Sequence, residues 1–185
     1  MSHFDDRILK LSSIAGMNFY KRSMQTNPLL TKCIITGFTL GAGDVIAQQL
    51  DNEKKYNAER TLKMTAFGFF AVGPAVVTWM NILDKVRVAN FYTTLGIRLA
   101  LDQIVWTPIF LTGFLTGMSV LEGHTFGQAK KKLENKFFDT IKASWAVWIP
   151  VQSINLSLVP VTHRPVVIQV VALGWNTFLS FINYK

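Results

Sequence analysis

From Leu29 to Leu50 the chain runs almost without interruption through apolar and small residues, and similar stretches recur to the end of the sequence. A helix needs about 20 residues to cross ~30 Å of hydrocarbon, so each such stretch is a candidate span. The second runs from Thr61 to Leu83 and is interrupted by Gly73-Pro74. The third runs from Ile97 to Leu121 around Pro108, and the fourth from Phe137 to Val161 around Pro150. After His163-Arg164-Pro165, a shorter stretch from Val166 to Ile182 completes the set.

Prolines inside spans are tolerated in bundles, because neighbouring helices satisfy the freed carbonyls. The glycines at 37, 41 and 43 suit close helix approach. No period-two alternation supports a membrane β-barrel. The chain therefore reads as all-α: a multi-spanning transmembrane helix bundle of four to five spans over residues 29–185. Residues 1–28 form a separate N-terminal segment. Within it, Asp6 to Gln25 mixes apolar residues with Arg7, Lys10, Lys21 and Arg22, which predicts an amphipathic helix lying in the membrane interface or leading into the first span.

Charge agrees with this. Only 16% of residues are charged, against about 25% in ordinary soluble domains. The net charge is +8, but the basic residues fall in the gaps between apolar stretches rather than on one periodic face. That placement suits lipid headgroups and argues against nucleic acid as a partner. It predicts contact with anionic, cardiolipin-like lipids. Lys and Arg divide evenly between the two ends of the spans and set no orientation. Among the tryptophans, Trp145 and Trp148 share a face near Lys142 and fit an interfacial belt.

Catalytic patterns do not occur. Cys33 is the single cysteine, so neither an intrachain disulfide nor a cysteine metal site can form. It reads as a small packed hydrophobe. His3, His124 and His163 lack metal-ligand spacing. No phosphate-binding glycine loop, nucleophile elbow or zincin motif occurs. The expectation is a protein that is not an enzyme and uses no cofactor or metal. The N-terminus lacks a secretory h-region, and Ile182-Asn183-Tyr184-Lys185 is not a Ser-Lys-Leu peroxisomal address.

The informative residues are the polar ones inside the apolar stretches. Asp44 and Gln48 lie four apart in the first span, on one helical face. Arg98 and Asp102 have the same spacing in the third, which predicts a local ion pair; Gln103 follows. Gln152 and Asn155 share a face in the fourth, and Asn176 stands alone in the fifth. A charge at the bilayer centre costs at least ~2.5–3.5 kcal/mol, so such groups face a bundle interior or a wet cavity. Two readings stand: these side chains line a polar pathway, or they hydrogen-bond helix to helix.

Several blocks resemble a known family. They are Gly43-Asp44-Val45-Ile46-Ala47-Gln48-Gln49 after Tyr20, Asn27-Pro28 and Thr31, and Arg60-Thr61 with Gly73-Pro74, Trp79 and Leu83-Asp84. Leu101-Asp102-Gln103 with Pro108 follows, then Trp145, Trp148, Pro150-Val151-Gln152, Asn155, Val159-Pro160 and Arg164, closing on Gly174-Trp175-Asn176 and Leu179-Ser180. In this order, from Tyr20 to Ile182, they resemble the Mpv/PMP family of peroxisomal and inner mitochondrial integral membrane proteins. The resemblance implies a multi-pass protein of the mitochondrial inner membrane, with the peroxisomal membrane as the alternative. It also implies a channel-like role in metabolite homeostasis.

Three positions depart from the family. Val77 stands where histidine is common, Met80 where tyrosine is, and Ala146 where lysine is. These losses of polarity raise an alternative: a non-transporting scaffold within a larger inner-membrane assembly, such as a respiratory or ATP synthase complex. The partner expected is accordingly a homo-oligomer or a larger membrane complex.

Overall fold

The computed structural model describes residues 22–51, 55–88, 90–159 and 164–184. The amphipathic helix expected over Asp6–Gln25 lies outside the described residues up to position 21; residues 22–26 are helical. Among the described residues five long helices follow: α1 (Pro28–Leu50), α2 (Ala58–Lys85), α3 (Phe91–Leu121), α4 (Phe126–Ser157) and α5 (Arg164–Tyr184). No strand occurs among the described residues. Within the same residues, three helices are long and apolar enough to cross a membrane, α1, α2 and α3. That is fewer than the four to five spans expected. α5 lies along α1, and α4 along the second half of α3.

The helices outrun the apolar stretches because polar caps, not hydropathy, set their ends. Asn57 Oδ1 accepts from the Arg60 N–H at 3.1 Å and starts α2. Asn90 Oδ1 accepts from the Thr93 N–H at 2.8 Å and starts α3. Thr125 and Gln128 form a reciprocal capping box, so α4 begins at Phe126, well before the expected Phe137. Between α3 and α4 the chain turns through Gly123 at φ 83°, a conformation that glycine adopts without strain.

Gly73-Pro74 does not break α2. The helix passes through a π turn, Gly68–Val72, just before the proline. α3 repeats the device: a π turn at Asp102–Trp106 precedes Pro108. A helical proline lacks an N–H and crowds the carbonyl four residues back. One wider turn relieves that clash while the helix continues.

Small residues bring α1 against its neighbours. A methyl on Gly37 would lie 2.9 Å from the Thr65 carbonyl oxygen of α2, and one on Gly43 would lie 2.8 Å from Asn176 Cβ of α5. Cys33 is buried against Gly73, as a packed hydrophobe. Leu111, Phe114, Leu115 and Met118 of α3 form the core with Leu40, Met64 and Leu179. Phe67 and Phe114 meet edge to face at 5.9 Å. Phe38 and Phe70 point outward, 74% and 76% exposed, the placement expected of a surface facing lipid rather than water.

Candidate functional site: two polar centres in the bundle

The first centre is built on Asp44, whose side chain is fully buried. Each carboxylate oxygen accepts two hydrogen bonds. Oδ1 receives Arg60 Nε at 2.7 Å and Ser180 Oγ at 2.5 Å. Oδ2 receives Gln48 Nε2 and Thr61 Oγ1, both at 2.7 Å. The acceptor capacity of an ionised carboxylate is about four, so this one is saturated. Arg60 closes the ring by donating from Nη2 to Ser180 Oγ at 2.7 Å. Its guanidinium also lies 3.9 Å over the Tyr184 ring.

Gln48 extends the centre to the α1–α2 connection. Its Oε1 accepts from the Asn57 N–H at 2.6 Å, and its Nε2 reaches the Asn57 carbonyl at 3.0 Å. Above it opens a cavity of about 210 Å³ that includes Gln48, Asn57, Arg60 and Tyr184 in its wall. Chemically, this centre joins α1, α2 and α5 through one buried ion pair. Such a pair holds only when geometry and hydrogen bonds compensate both charges, and here they do.

The second centre is built on Asp102, at the start of the π turn in α3. Trp79 Nε1 donates to Oδ1 at 2.9 Å and Gln103 Nε2 to Oδ2 at 3.0 Å. No cation lies within ion-pair distance among the described residues. Trp79 stacks on Trp106 at 5.3 Å, which fixes its indole over the turn. The Gln103 carbonyl accepts from Trp145 Nε1 at 3.0 Å, so α4 is tied to the same turn. The Gln103 side-chain oxygen is buried without a hydrogen-bond partner among the described residues.

The ion pair expected between Arg98 and Asp102 does not form. Arg98 turns the other way, donating to the Asp84 carboxylate at 3.1 Å and to the Asp84 and Val86 carbonyls at 2.9 and 3.1 Å. A guanidinium spans several acceptors at a helix C-terminus better than it serves one carboxylate on its own helix. Of the remaining candidates, Gln152 is half-buried. Asn155 is fully buried in α4, and neither of its amide atoms has a partner among the described residues. Asn176 is buried against Gly43.

Arg60, Thr61, Ser180 and Trp79 were not among the site residues picked out by spacing. Their partners lie on other helices, and i,i+4 spacing reports only one helix. A signal existed for Arg60: it is a cation just after an apolar span holding an unpaired acid.

A third polar cluster lies at the loop end of the bundle. Glu122 accepts from Lys132 Nζ at 3.2 Å and from Asn183 Nδ2 at 2.5 Å. Lys136 donates to the Ile182 carbonyl near the end of α5. Burial, and then the nearby Lys132, push the Lys136 ammonium below its ordinary value, with Glu122 opposing.

Residues 119–180 match the profile of the Mpv17 / PMP22 family. The chain is 36% identical to Protein sym-1 of Neurospora crassa, over 90% of this chain and 98% of that one. It is 35% identical to Protein SYM1 of Saccharomyces cerevisiae, over 91% and 90%. It is 36% identical to a zebrafish (Danio rerio) protein named "Mitochondrial inner membrane protein Mpv17", over 88% and 93%. No solved structure matches the chain.

Proposed function

This chain belongs to the Mpv17/PMP22 family and is a membrane protein of the mitochondrial inner membrane, and from that premise we propose that it is channel-like, non-enzymatic and supports solute homeostasis across that membrane. The observation that carries this reading is Asp102. It is a carboxylate within a membrane-spanning helix with no cation beside it among the described residues, held by two neutral donors at a π turn. Intramembrane acids without a partner charge are expensive and characteristically face a wet interior. π turns recur at functional sites. Among the described residues the Gln103 side-chain oxygen beside it and both amide atoms of Asn155 lack hydrogen-bond partners, which supports a polar route along α3 and α4.

Reconstitution in liposomes tests it. The native chain should carry a small-ion current, and Asp102→Asn should lower it about tenfold, the equivalent of ~1.4 kcal/mol on the barrier. An unchanged current with Asp102→Asn would remove Asp102 from any pathway.

A second reading is favoured by where the family departures sit. Met80 and Ala146 are exposed and Val77 is half-buried, so much of the lost polarity belongs to the outside of the bundle. An apolar exterior suits a scaffold role in a larger membrane assembly. Gentle solubilisation followed by native sizing separates the two readings, since a free small oligomer counts against the scaffold.

A further inference from the structure

The contact between α4 and α5 is less extensive than the α1–α5 contact, and hollows border it. At its polar end is a hollow of about 460 Å³ bordered by His124, Lys132, Lys136 and Asn183. A second, of about 400 Å³, shares Asn135 and Lys136 with the first and adds Asp139 and Phe181. Further along lies an almost wholly apolar hollow of about 380 Å³ bordered by Ala143, Val147, Gly174 and Phe178. On α4 these positions step by three or four residues from Lys136 through Asp139 and Ala143 to Val147, so they form one face. Gly174 leaves the far wall bare: a methyl placed there would meet nothing within 4 Å.

The dimensions and charge identify an occupant. From Lys136 to Val147 is eleven residues, about 16 Å of helix. Half of a ~30 Å hydrocarbon layer is about 15 Å, so the distance from the Lys136 ammonium, past Asp139, to the far end of the apolar hollow matches one leaflet. Its polar mouth belongs to the basic half of α4, which carries five lysines against two acids between Phe126 and Lys142. Glu122 at the mouth is already engaged by Lys132 and Asn183. Lys136 spends one of its three donors on Ile182, and an ammonium keeps the others for a phosphate. We propose that this groove binds one anionic phospholipid, with its phosphate at Lys136 and one acyl chain along Val147, Gly174 and Phe178. This site does not depend on the channel reading and shares no residue with the Asp102 centre.

The test uses the full chain in detergent, with bound lipid counted by native mass spectrometry during titration. Phosphatidylglycerol should bind about tenfold more tightly than phosphatidylcholine, a difference of ~1.4 kcal/mol. Gly174→Phe fills the groove and should abolish that preference while leaving helix content intact. A photoactivatable phosphatidylglycerol, labelled in its acyl chain, should attach to Val147, Gly174 or Phe178 of the native chain. That mapping decides the matter even if the phenylalanine variant does not fold. Equal binding of both lipids, binding untouched by Gly174→Phe, attachment elsewhere, or a second copy of the chain seated in the groove would each overturn the proposal.

Discussion

Asp44 and Asp102 are both carboxylates within apolar helices, yet their surroundings are opposite. Asp44 takes four donors, one of them a guanidinium, from three helices. Asp102 takes two neutral donors, one of them from its sequence neighbour. A saturated buried ion pair cannot easily change partners, because removing either member strands the other. A half-satisfied carboxylate can gain a proton, a water or a passing cation. The lesson is that a charge in a span does not by itself mark a functional site; the count of donors around it separates fastening from chemistry.

The largest effect expected is at the saturated centre. Asp44→Asn replaces two acceptor positions with donors and leaves Arg60 without a counter-ion, so unfolding in detergent should be easier by ~3–5 kcal/mol. Replacing Asp44 and Arg60 together with apolar residues should be less damaging than either single change. A double variant as poor as the sum of the two singles would show that they act separately.

The helix contact beneath that centre gives a smaller effect. Gly43→Val places atoms within 3 Å of Asn176 and Thr177 and should lose ~1–3 kcal/mol through overpacking. Gly113→Ala is its control: nothing lies within 4 Å of the added methyl, and stability should move by no more than ~1 kcal/mol, upward. Thermal unfolding of the two variants side by side checks both.

The smallest stability effect is expected at Asp102. Asp102→Asn keeps an oxygen for Trp79 and removes an uncompensated charge, so unfolding should shift by less than ~1 kcal/mol or the protein should become more stable. A loss as large as that of Asp44→Asn would erase the contrast between the two centres. The same variant separates stability from conduction, because the current is expected to fall while the fold holds.

The bundle was legible from the lengths of its apolar stretches, since hydrocarbon thickness sets a minimum that few other folds require. Helix starts were less so. The Thr125–Gln128 capping box sits in the polar sequence between two apolar stretches, where hydropathy alone suggests no helix. The π turns were hidden because a proline announces strain but not the manner of its relief. Asp44 and Gln48 were visible as a pair because both lie on α1. Ser180 was not, since its partner is 136 positions away. Arg98 illustrates the converse: its spacing to Asp102 is correct for a pair, but the α2–α3 corner offers it Asp84 and two carbonyls.

The Asp44–Arg60 pair also dictates an order of assembly. The two residues are 16 positions apart, on either side of the α1–α2 connection. Entering lipid singly, each would carry a bare charge at ~2.5–3.5 kcal/mol; entering as a hairpin, they cross already neutralised. Ser180 arrives only with the last helix. A nascent chain halted before α5 would thus hold a neutral hairpin whose Asp44 and Arg60 each lack one hydrogen bond, and the C-terminus supplies the hydroxyl that completes both.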